Sequence, residues 1–371
     1  MQRTVSIKLE TNVDQTAELE TLAAEFAHAC NLAVSYASEN RITNRVQLHH
    51  QAYYPVRENT RLGSQMACNA MRSVAGSYKT LKANKRLPKD GPFPSIVFGD
   101  RGAVHFDKRT YSIKDEMLSL YTLSGRIHVR MRPGQFQQDY LARGTAKEAK
   151  LVWKPKGWFF NLVLDIPAET PRTGGVLGVD MGENNIAATS TWKVCGGGKL
   201  GYDRDRFLAL RRRLQRNGSA SARQRLKQVS GRERRHVTHV NHEVSKAIIL
   251  EALAHGSGTI ALERLTHIRK RIKAGKRVRS RLHRWPWAQL QAMTAYKAEA
   301  EGLKVVYVNP AYSSQTCNAC GQKAKRNKHT LSCTCGNRAH ADVNAASNLA
   351  WLGETAVSPR GAVNRPDVGA A

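Results

Sequence analysis

The chain has 371 residues, and its 59 lysines and arginines against 29 acidic residues give a formal net charge of +30. A surface this basic attracts polyanions by releasing their counterions, so nucleic acid is the expected partner. A membrane is the rival polyanion. The sequence disfavours it, because it has no apolar run near the ~18 residues of a spanning helix and no basic amphipathic helix with an aromatic face.

The first segment, MQRTVSIKLET, alternates apolar and polar residues and predicts a β-strand. It lacks the apolar core of a signal peptide, so we expect a cytoplasmic protein. Two helices are predicted next, over residues 14–38 and 64–83, with a polar, aromatic link between them. From residue 95 to 166 the apolar period changes to two, which predicts a series of strands and hairpins.

These elements predict a β-barrel or sandwich made from residues 1–12 and 88–170, with residues 13–87 as a helical insertion. A second domain, of α/β type, is predicted over residues 174–352. The expected fold class is therefore α/β plus β. Residues 353–371 have neither periodicity nor bulk and are predicted to form a disordered tail.

The second domain opens with VLGVDMGENNIAATST, which predicts a buried strand ending at Asp180 and an antiparallel strand returning from Ile186. RNase H-like folds open in this way, with a carboxylate on the first of two antiparallel strands. Asp180 lies between Val179 and Met181, where a negative charge costs desolvation free energy unless a cation offsets it. An aspartate satisfied by the amides of the following turn is the alternative.

Two basic runs lie on either side of a predicted strand, GTIALERL, that places Glu263 at its end. Residues 204–235 hold twelve lysines and arginines against two acidic residues, and residues 264–284 are strongly basic with no acidic residue. Such runs are usually solvated faces. Their position around a strand carboxylate favours a surface that lines a phosphate backbone.

Four cysteines form two close pairs, Cys317-x-x-Cys320 and Cys333-x-Cys335. This spacing lets two tight turns offer four thiolates to one tetrahedral Zn²⁺, and it predicts a zinc ribbon over residues 310–340. The second pair is one residue shorter than the usual C-x-x-C. A disulfide-bonded or simply buried set is the alternative, which the clustering and the missing secretory signal disfavour.

Asp342 follows the second cysteine pair and heads an apolar run, Val343–Leu352, that predicts a helix. An aspartate at a helix start is often only a cap favoured by the helix dipole. In an RNase H-like sheet, however, the elements carrying Asp180, Glu263 and Asp342 converge. The three carboxylates could then hold two Mg²⁺ ions ~4 Å apart, one activating water and one stabilising the leaving 3′ oxygen.

Four segments of the second half resemble the RuvC-I, RuvC-II, helix-plus-ribbon and RuvC-III segments of the TnpB family, the transposon-encoded relatives of Cas12 nucleases. They read GVDMG, IALERL, WPWAQLQAMTAYKAEAEGLKVVYVNPAYSSQTCNACG and CGNRAHADVNAASNL. The resemblance covers residues 174–352, and the N-terminal half fits only in its order of strands and helices.

This resemblance implies a metal-dependent, RNA-guided DNA endonuclease with a RuvC domain of RNase H-like fold and an inserted zinc ribbon. Residues 1–12 and 88–170 would be the wedge domain, and residues 13–87 the helical recognition insertion. The implied partners are a guide RNA and the target double-stranded DNA with its displaced strand. By the same resemblance the implied catalytic acids, which hold two Mg²⁺ ions, are Asp180, Glu263 and Asp342, and the implied ligands of a structural Zn²⁺ are Cys317, Cys320, Cys333 and Cys335.

Three other functions compete with this one. The first is a nuclease-dead relative that binds a guide and DNA and acts as a repressor. It is disfavoured because all three acids are present. A DNA transposase, which uses a 3′-hydroxyl in place of water, is disfavoured by the ribbon just before the third acid and by the lack of a separate DNA-binding module. A miniature Cas12-type CRISPR effector stays open, because the distinction lies in the neighbouring RNA locus. The target-adjacent motif and the oligomeric state also stay open.

Overall fold

The computed structural model describes residues 1–167, 169–265 and 286–357. The chain divides into two compact units, Met1–Pro167 and Ala168–Ala371. The basic run 264–284 lies almost wholly outside the described residues, as does the predicted tail from residue 358. Among the described residues, no helix combines the length with the apolarity needed to cross a bilayer.

The first unit contains one antiparallel sheet in the order β2-β6-β7-β1-β5-β4-β3. The predicted first strand is confirmed: it forms the middle of the sheet and alternates buried and exposed residues, as its sequence does. The seven strands are β1 (Gln2–Glu10), β2 (Val104–Phe106), β3 (Tyr111–Lys114), β4 (Met117–Thr122), β5 (Gly125–Arg132), β6 (Thr145–Lys154) and β7 (Gly157–Asp165).

Four helices belong to this unit, α1 (Val13–Glu39), α2 (Arg45–Glu58), α3 (Ser64–Ala83) and α4 (Gln135–Arg143). The prediction of a link between α1 and α3 was wrong, because most of that segment is helix α2. Asn44 caps it by accepting from two backbone amides, and the buried residues Leu48, Ala52 and Val56 recur every four residues. Many polar residues and the internal Pro55 hid this narrow apolar stripe.

The second unit is built on a mixed sheet in the order β10-β9-β8-β11-β12. Its first three strands are antiparallel neighbours, whereas β11 runs parallel to both β8 and β12. These strands are β8 (Gly175–Asp180), β9 (Asn185–Thr189), β10 (Val194–Gly196), β11 (Ser257–Glu263) and β12 (Lys304–Val308). Asp180 and Glu263 therefore end two parallel strands that are hydrogen-bonded to each other.

The helices of this unit are α5 (Gly198–Asn217), α6 (Ala220–Ala254), α7 (Trp287–Ala300) and α8 (Ala341–Val357). The basic run 204–235 lies on α5 and α6, which meet at Gly218 in the left-handed conformation. The apolar pattern of the sequence predicts a helix only over residues 236–254, but Ser219 caps α6 and the helix begins at Ala220. The many arginines in the first half of α6 hid the helical spacing of its apolar residues.

Helix α8 continues through Val357, so the prediction that the tail begins at residue 353 was wrong for residues 353–357. Gly353 explains the difference. A Cβ built on it would lie 2.7 Å from the Cβ of Ala261 and 2.8 Å from Cγ1 of Val176, so the bare glycine lets the helix lie on the sheet. A close approach that depends on the absence of a side chain leaves no apolar period in the sequence.

Gly178 brings α8 and β8 together even more closely. A Cβ at this position would lie 1.9 Å from the carbonyl oxygen of Ala346 and 2.5 Å from the amide nitrogen of Ala350, both in the helix backbone. The helix that carries Asp342 thus rests directly on the strand that carries Asp180. Only glycine permits this approach.

We expect Gly178→Ala to push α8 off the sheet and to lower the free energy of unfolding by about 1–3 kcal/mol or more, as overpacking does. Thermal unfolding of the purified protein measures the loss. Gly175→Ala on the same strand is the matched control, because a Cβ there meets nothing within 4 Å. Equal melting temperatures for the two variants would contradict this account of the packing.

Candidate functional site

The carboxyl groups of Asp180 and Glu263 are hydrogen-bonded to each other at the end of the parallel strands. The register pairs Val179 with Leu262, so the next residue on each strand lies beside its neighbour. Two carboxyl groups can share a hydrogen bond only if one of them carries a proton. Sequence analysis predicted both residues, and the structure brings them into contact.

Burial is the main cause of the raised pKa values of Asp180 and Glu263. Desolvation, the hydrogen bond to Asp180 and the negative charge of Asp180 raise the pKa of Glu263 to about 9. Desolvation also raises the pKa of Asp180, helped by the charge of Asp342 and opposed by the hydrogen bond to Glu263. Because two negative charges are unfavourable in this buried place, these carboxyl groups are of a kind that could hold a divalent cation.

Asp342 lies in the first turn of α8 and is 7% exposed. One carboxylate oxygen accepts a hydrogen bond of 2.7 Å from Nη2 of Arg326, and the other accepts one of 2.8 Å from Nδ2 of Asn185. Both oxygens therefore have partners outside helix α8. The charge of Asp342 helps to raise the pKa of Asp180, and the helix that carries Asp342 packs on the strand that carries Asp180.

Arg326 and Asn185 are residues that sequence analysis missed. Arg326 lies on the ribbon, where one arginine among many basic residues gives no signal. Asn185 follows the turn after β8, and nothing in the sequence distinguishes it from its neighbour Asn184. Their roles depend on where the turn and the ribbon meet α8, which no local pattern in the sequence encodes.

The four predicted cysteine ligands form one cluster, with their sulfur atoms within 4.8 Å of one another. The Sγ atoms of Cys317 and Cys335 are 3.8 Å apart, and those of Cys320 and Cys333 are 3.5 Å apart. Tetrahedral Zn²⁺ with Zn–S bonds of ~2.3 Å requires sulfur atoms ~3.8 Å apart. All seven cysteines are free thiols, which argues against the disulfide alternative.

A small antiparallel sheet and two turns support this cluster. Its strands are β13 (Lys325–Asn327), β14 (Thr330–Ser332) and β15 (Arg338–His340). Gly321 and Gly336, just after the second cysteine of each pair, have φ of 77° and 88°. Only glycine adopts such angles without strain, so these residues make the tight metal-type turns possible.

The surroundings of Cys317 favour the thiolate form of its side chain. Burial raises the pKa of its thiol, but the side chain of Asn337 and the amides of Ala319 and Cys320 outweigh burial and lower the pKa to about 6. Nδ2 of Asn337 donates to the sulfur over 3.2 Å. The lowered pKa favours the thiolate, which is the form that binds a metal ion.

The cysteine turns are tied to the start of α8 by two buried asparagines. Oδ1 of Asn344 accepts from the amide of Asn318 over 2.9 Å, and its Nδ2 donates to the carbonyl of Thr316 over 2.7 Å. Asn348 donates to the carbonyls of Thr316 and Ser313. Both asparagines belong to the helix that carries Asp342, so the position of that carboxylate depends on the ordered turn around Cys317.

The amino-acid sequence is similar to those of known protein families. The Cas12f1-like TNB domain family matches residues 287–349. A TnpB-like protein of Methanocaldococcus jannaschii is 37% identical over 206 residues, which cover 54% of this chain and 71% of that protein. A Cas12f1 endodeoxyribonuclease of Sulfoacidibacillus thermotolerans is 40% identical over 114 residues, but the match spans only 30% of this chain and 26% of that protein.

Solved structures share the fold at low sequence identity. The Cas12f1–sgRNA–target DNA complex superposes with a TM-score of 0.63 at 15% identity, covering 91% of this chain and 83% of that one. CasPhi-2 bound to crRNA and phosphorothioate DNA superposes with a TM-score of 0.56 at 9% identity, covering 98% and 93% of the two chains. The fold of the chain is thus similar to the folds of Cas12f1 and CasPhi-2.

Proposed function

Because this chain belongs to the TnpB family, we propose that it is an RNA-guided DNA endonuclease that cuts in a RuvC site of RNase H-like fold. The order of its sheet fits such a fold, with three antiparallel strands followed by two parallel ones. The parallel register of β8 and β11 supports this site, because it puts Asp180 beside Glu263 at the ends of neighbouring strands. Helix α8, which packs on β8, would bring Asp342 to the same site.

The contact between Asp180 and Glu263 is the observation that carries the proposal. Burial and mutual repulsion make ionisation of both carboxyl groups unfavourable, and cations bound between them would offset this cost. Carboxylate oxygens are the ligands that Mg²⁺ prefers. Two Mg²⁺ ions bound by Asp180, Glu263 and Asp342 would activate a water molecule and stabilise the leaving 3′ oxygen.

We assign the remaining residues of the site to positioning. Arg326 and Asn185 hold the two oxygens of Asp342, so its carboxylate keeps one orientation. The four cysteines would hold one structural Zn²⁺, which fits their sulfur spacing and the thiolate at Cys317. The zinc would fix the turn on which Asn344 and Asn348 depend.

A guide RNA and a double-stranded DNA target are the proposed partners. The solved relatives with the same fold were determined as complexes with RNA and DNA. The net charge of +30 supplies the attraction for both polymers, and helices α5 and α6 concentrate it in residues 204–235. Base pairing would read the sequence while these residues bind phosphates.

A miniature Cas12-type CRISPR effector is the second candidate. The 40% identity to a Cas12f1 endodeoxyribonuclease over 114 residues favours it, and the same site chemistry would serve both. The two functions differ in the origin of the guide. Sequencing the RNA that co-purifies with the protein separates them, since a transposon-end transcript indicates the first and a CRISPR repeat indicates the second.

Replacing the guide sequence tests RNA guidance directly. We expect that exchanging the guide-like end of the co-purified RNA for a new sequence of ~20 nucleotides moves the DNA breaks to the matching site. Mapping the break positions by sequencing measures this. The control is binding of unrelated duplex DNA, whose affinity should fall with salt at a slope near −0.9 per neutralised phosphate whatever the RNA. Breaks that stay in place would remove RNA guidance from the proposal and leave an unguided nuclease.

A further inference from the structure

A second group of metal-binding side chains lies on the ribbon, apart from the cysteines. One ligand atom each from His329, His340 and Asp342 lies within 4.8 Å of the other two. We propose that these three residues form a site for a late first-row transition metal ion such as Zn²⁺ or Co²⁺, and that an ion bound there withdraws Asp342 from Asp180 and Glu263.

The backbone holds the two histidines together. Strands β14 and β15 pair Thr330 with His340, and the amide of Ala341 donates to the carbonyl of His329 over 2.8 Å. The two imidazole rings are stacked with centroids 5.9 Å apart and planes 27° apart. His329 lies in the turn just before β14, and His340 ends β15. Two imidazoles beside a carboxylate are the donor set of many transition-metal sites.

Small movements are enough to complete the coordination. In a tetrahedral site with bonds of ~2.0–2.1 Å the ligand atoms lie ~3.3 Å apart, so the side chains must close by up to about 1.5 Å. His329 is exposed and can rotate without disturbing the core. Nδ1 of His340 now accepts a long hydrogen bond of 3.3 Å from the amide of Asp342, which a metal bond would replace.

An ion can reach this site from solvent. His329 lines a pocket together with Asn185 and Gly197, and Asn185 is the residue that holds one oxygen of Asp342. Arg326, which holds the other oxygen, has a side chain that is 36% exposed, so the guanidinium can swing into water when a cation arrives. With three protein ligands, the remaining coordination positions would be taken by water.

The donor set discriminates between metals. Imidazole nitrogens bind Zn²⁺, Co²⁺ and Ni²⁺ well, whereas Mg²⁺ prefers oxygen ligands and keeps its water. Asp342 would therefore belong to two competing sites, one built on carboxylates and one built on histidines. The consequence for cleavage rests on the proposed function, whereas the binding of the ion does not.

Binding is tested on the full-length protein with its cysteines loaded with Zn²⁺ and with millimolar Mg²⁺ present. A Co²⁺ titration followed by visible absorption should show one further ion without thiolate charge-transfer bands. We expect His329→Ala to weaken this binding at least about tenfold and His340→Ala to do the same. His239→Ala on α6, an exposed histidine that pairs with Glu243 in the same helix, should leave it unchanged. Asp180→Ala should retain or strengthen it, because Mg²⁺ then competes less for Asp342.

Unchanged Co²⁺ binding in both His329→Ala and His340→Ala would overturn the site, and so would its loss in Asp180→Ala, which would place the ion at the carboxylate pair. Inhibition is measured separately. Micromolar Zn²⁺ should slow Mg²⁺-dependent cleavage at least about tenfold in the wild type and less in His329→Ala. Equal inhibition of both proteins would show that metal binding at this site does not control cleavage. A protein that binds Co²⁺ as expected but never cuts DNA would refute the proposed function alone.

Discussion

Asp180→Ala is expected to reduce Mg²⁺-dependent DNA cleavage to below about 1% of the wild-type rate, a loss of roughly 3 kcal/mol or more in transition-state stabilisation. The same result is expected for Glu263→Ala and Asp342→Ala, since each removes one of the carboxylates that would hold the ions. Binding of nucleic acid should stay intact or tighten slightly, because a negative charge leaves a surface that binds phosphates. Cleavage of labelled target DNA and a gel-shift titration measure the two effects.

The buried pair gives this experiment a readout that a merely structural role would not produce. Asp180→Asn relieves the unfavourable ionisation of the pair, so it should raise the melting temperature without metal and abolish the rise that Mg²⁺ causes in the wild type. Glu354→Ala, an exposed carboxylate on the same helix as Asp342, is the control that should keep full activity. Residual cleavage well above 1% in Asp180→Ala would remove this residue from the catalytic site.

Cys317→Ser is expected to release one equivalent of zinc, to lower the melting temperature and to slow cleavage at least about tenfold. The serine hydroxyl does not ionise at neutral pH, so the tetrahedral set loses the thiolate that Asn337 stabilises. Without the metal the turn at Thr316 loses its order, and Asn344 and Asn348 lose the carbonyls that fix α8. Metal analysis, thermal unfolding and the cleavage assay measure the three effects.

Cys195→Ser is the matched control for this variant, because Cys195 lies in the same unit on β10 and outside the cysteine cluster. It should retain zinc and activity. A wild-type protein that contains no zinc would refute the metal assignment. A Cys317→Ser protein that loses zinc yet cuts at the wild-type rate would show that the ribbon does not position Asp342.

The sequence predicted residues whose roles follow from local pattern. Asp180 and Glu263 could be placed at strand ends because apolar runs mark buried strands, and the cysteines could be grouped because their spacing is short. That β8 and β11 are neighbours is a long-range property, which only the resemblance to a known family implied. The contact between the two carboxyl groups needed the observed register.

The missed features share a different cause. Arg326, Asn185 and Asn344 act through single hydrogen bonds between distant segments, and such bonds leave no period in the sequence. Helix α2 was missed because its apolar stripe is one residue wide within a polar segment. The extra helical turn of α8 depends on the absence of a side chain at Gly353, a contact that hydrophobic patterning cannot report.

The location of Asp342 directly after the ribbon also sets when the site can form during protein synthesis. A ribosome makes the first unit, then Asp180 and Glu263, then the cysteines, and Asp342 only after all of them. The roughly 160 residues from Asp180 to Asp342 take about 8–30 s to translate at ordinary rates of ~5–20 residues per second. A nascent chain can therefore fold its N-terminal unit while the proposed nuclease centre still lacks its third carboxylate. Under the proposed function, an unfinished chain that ends before Asp342 would lack one of the three carboxylates needed for cutting.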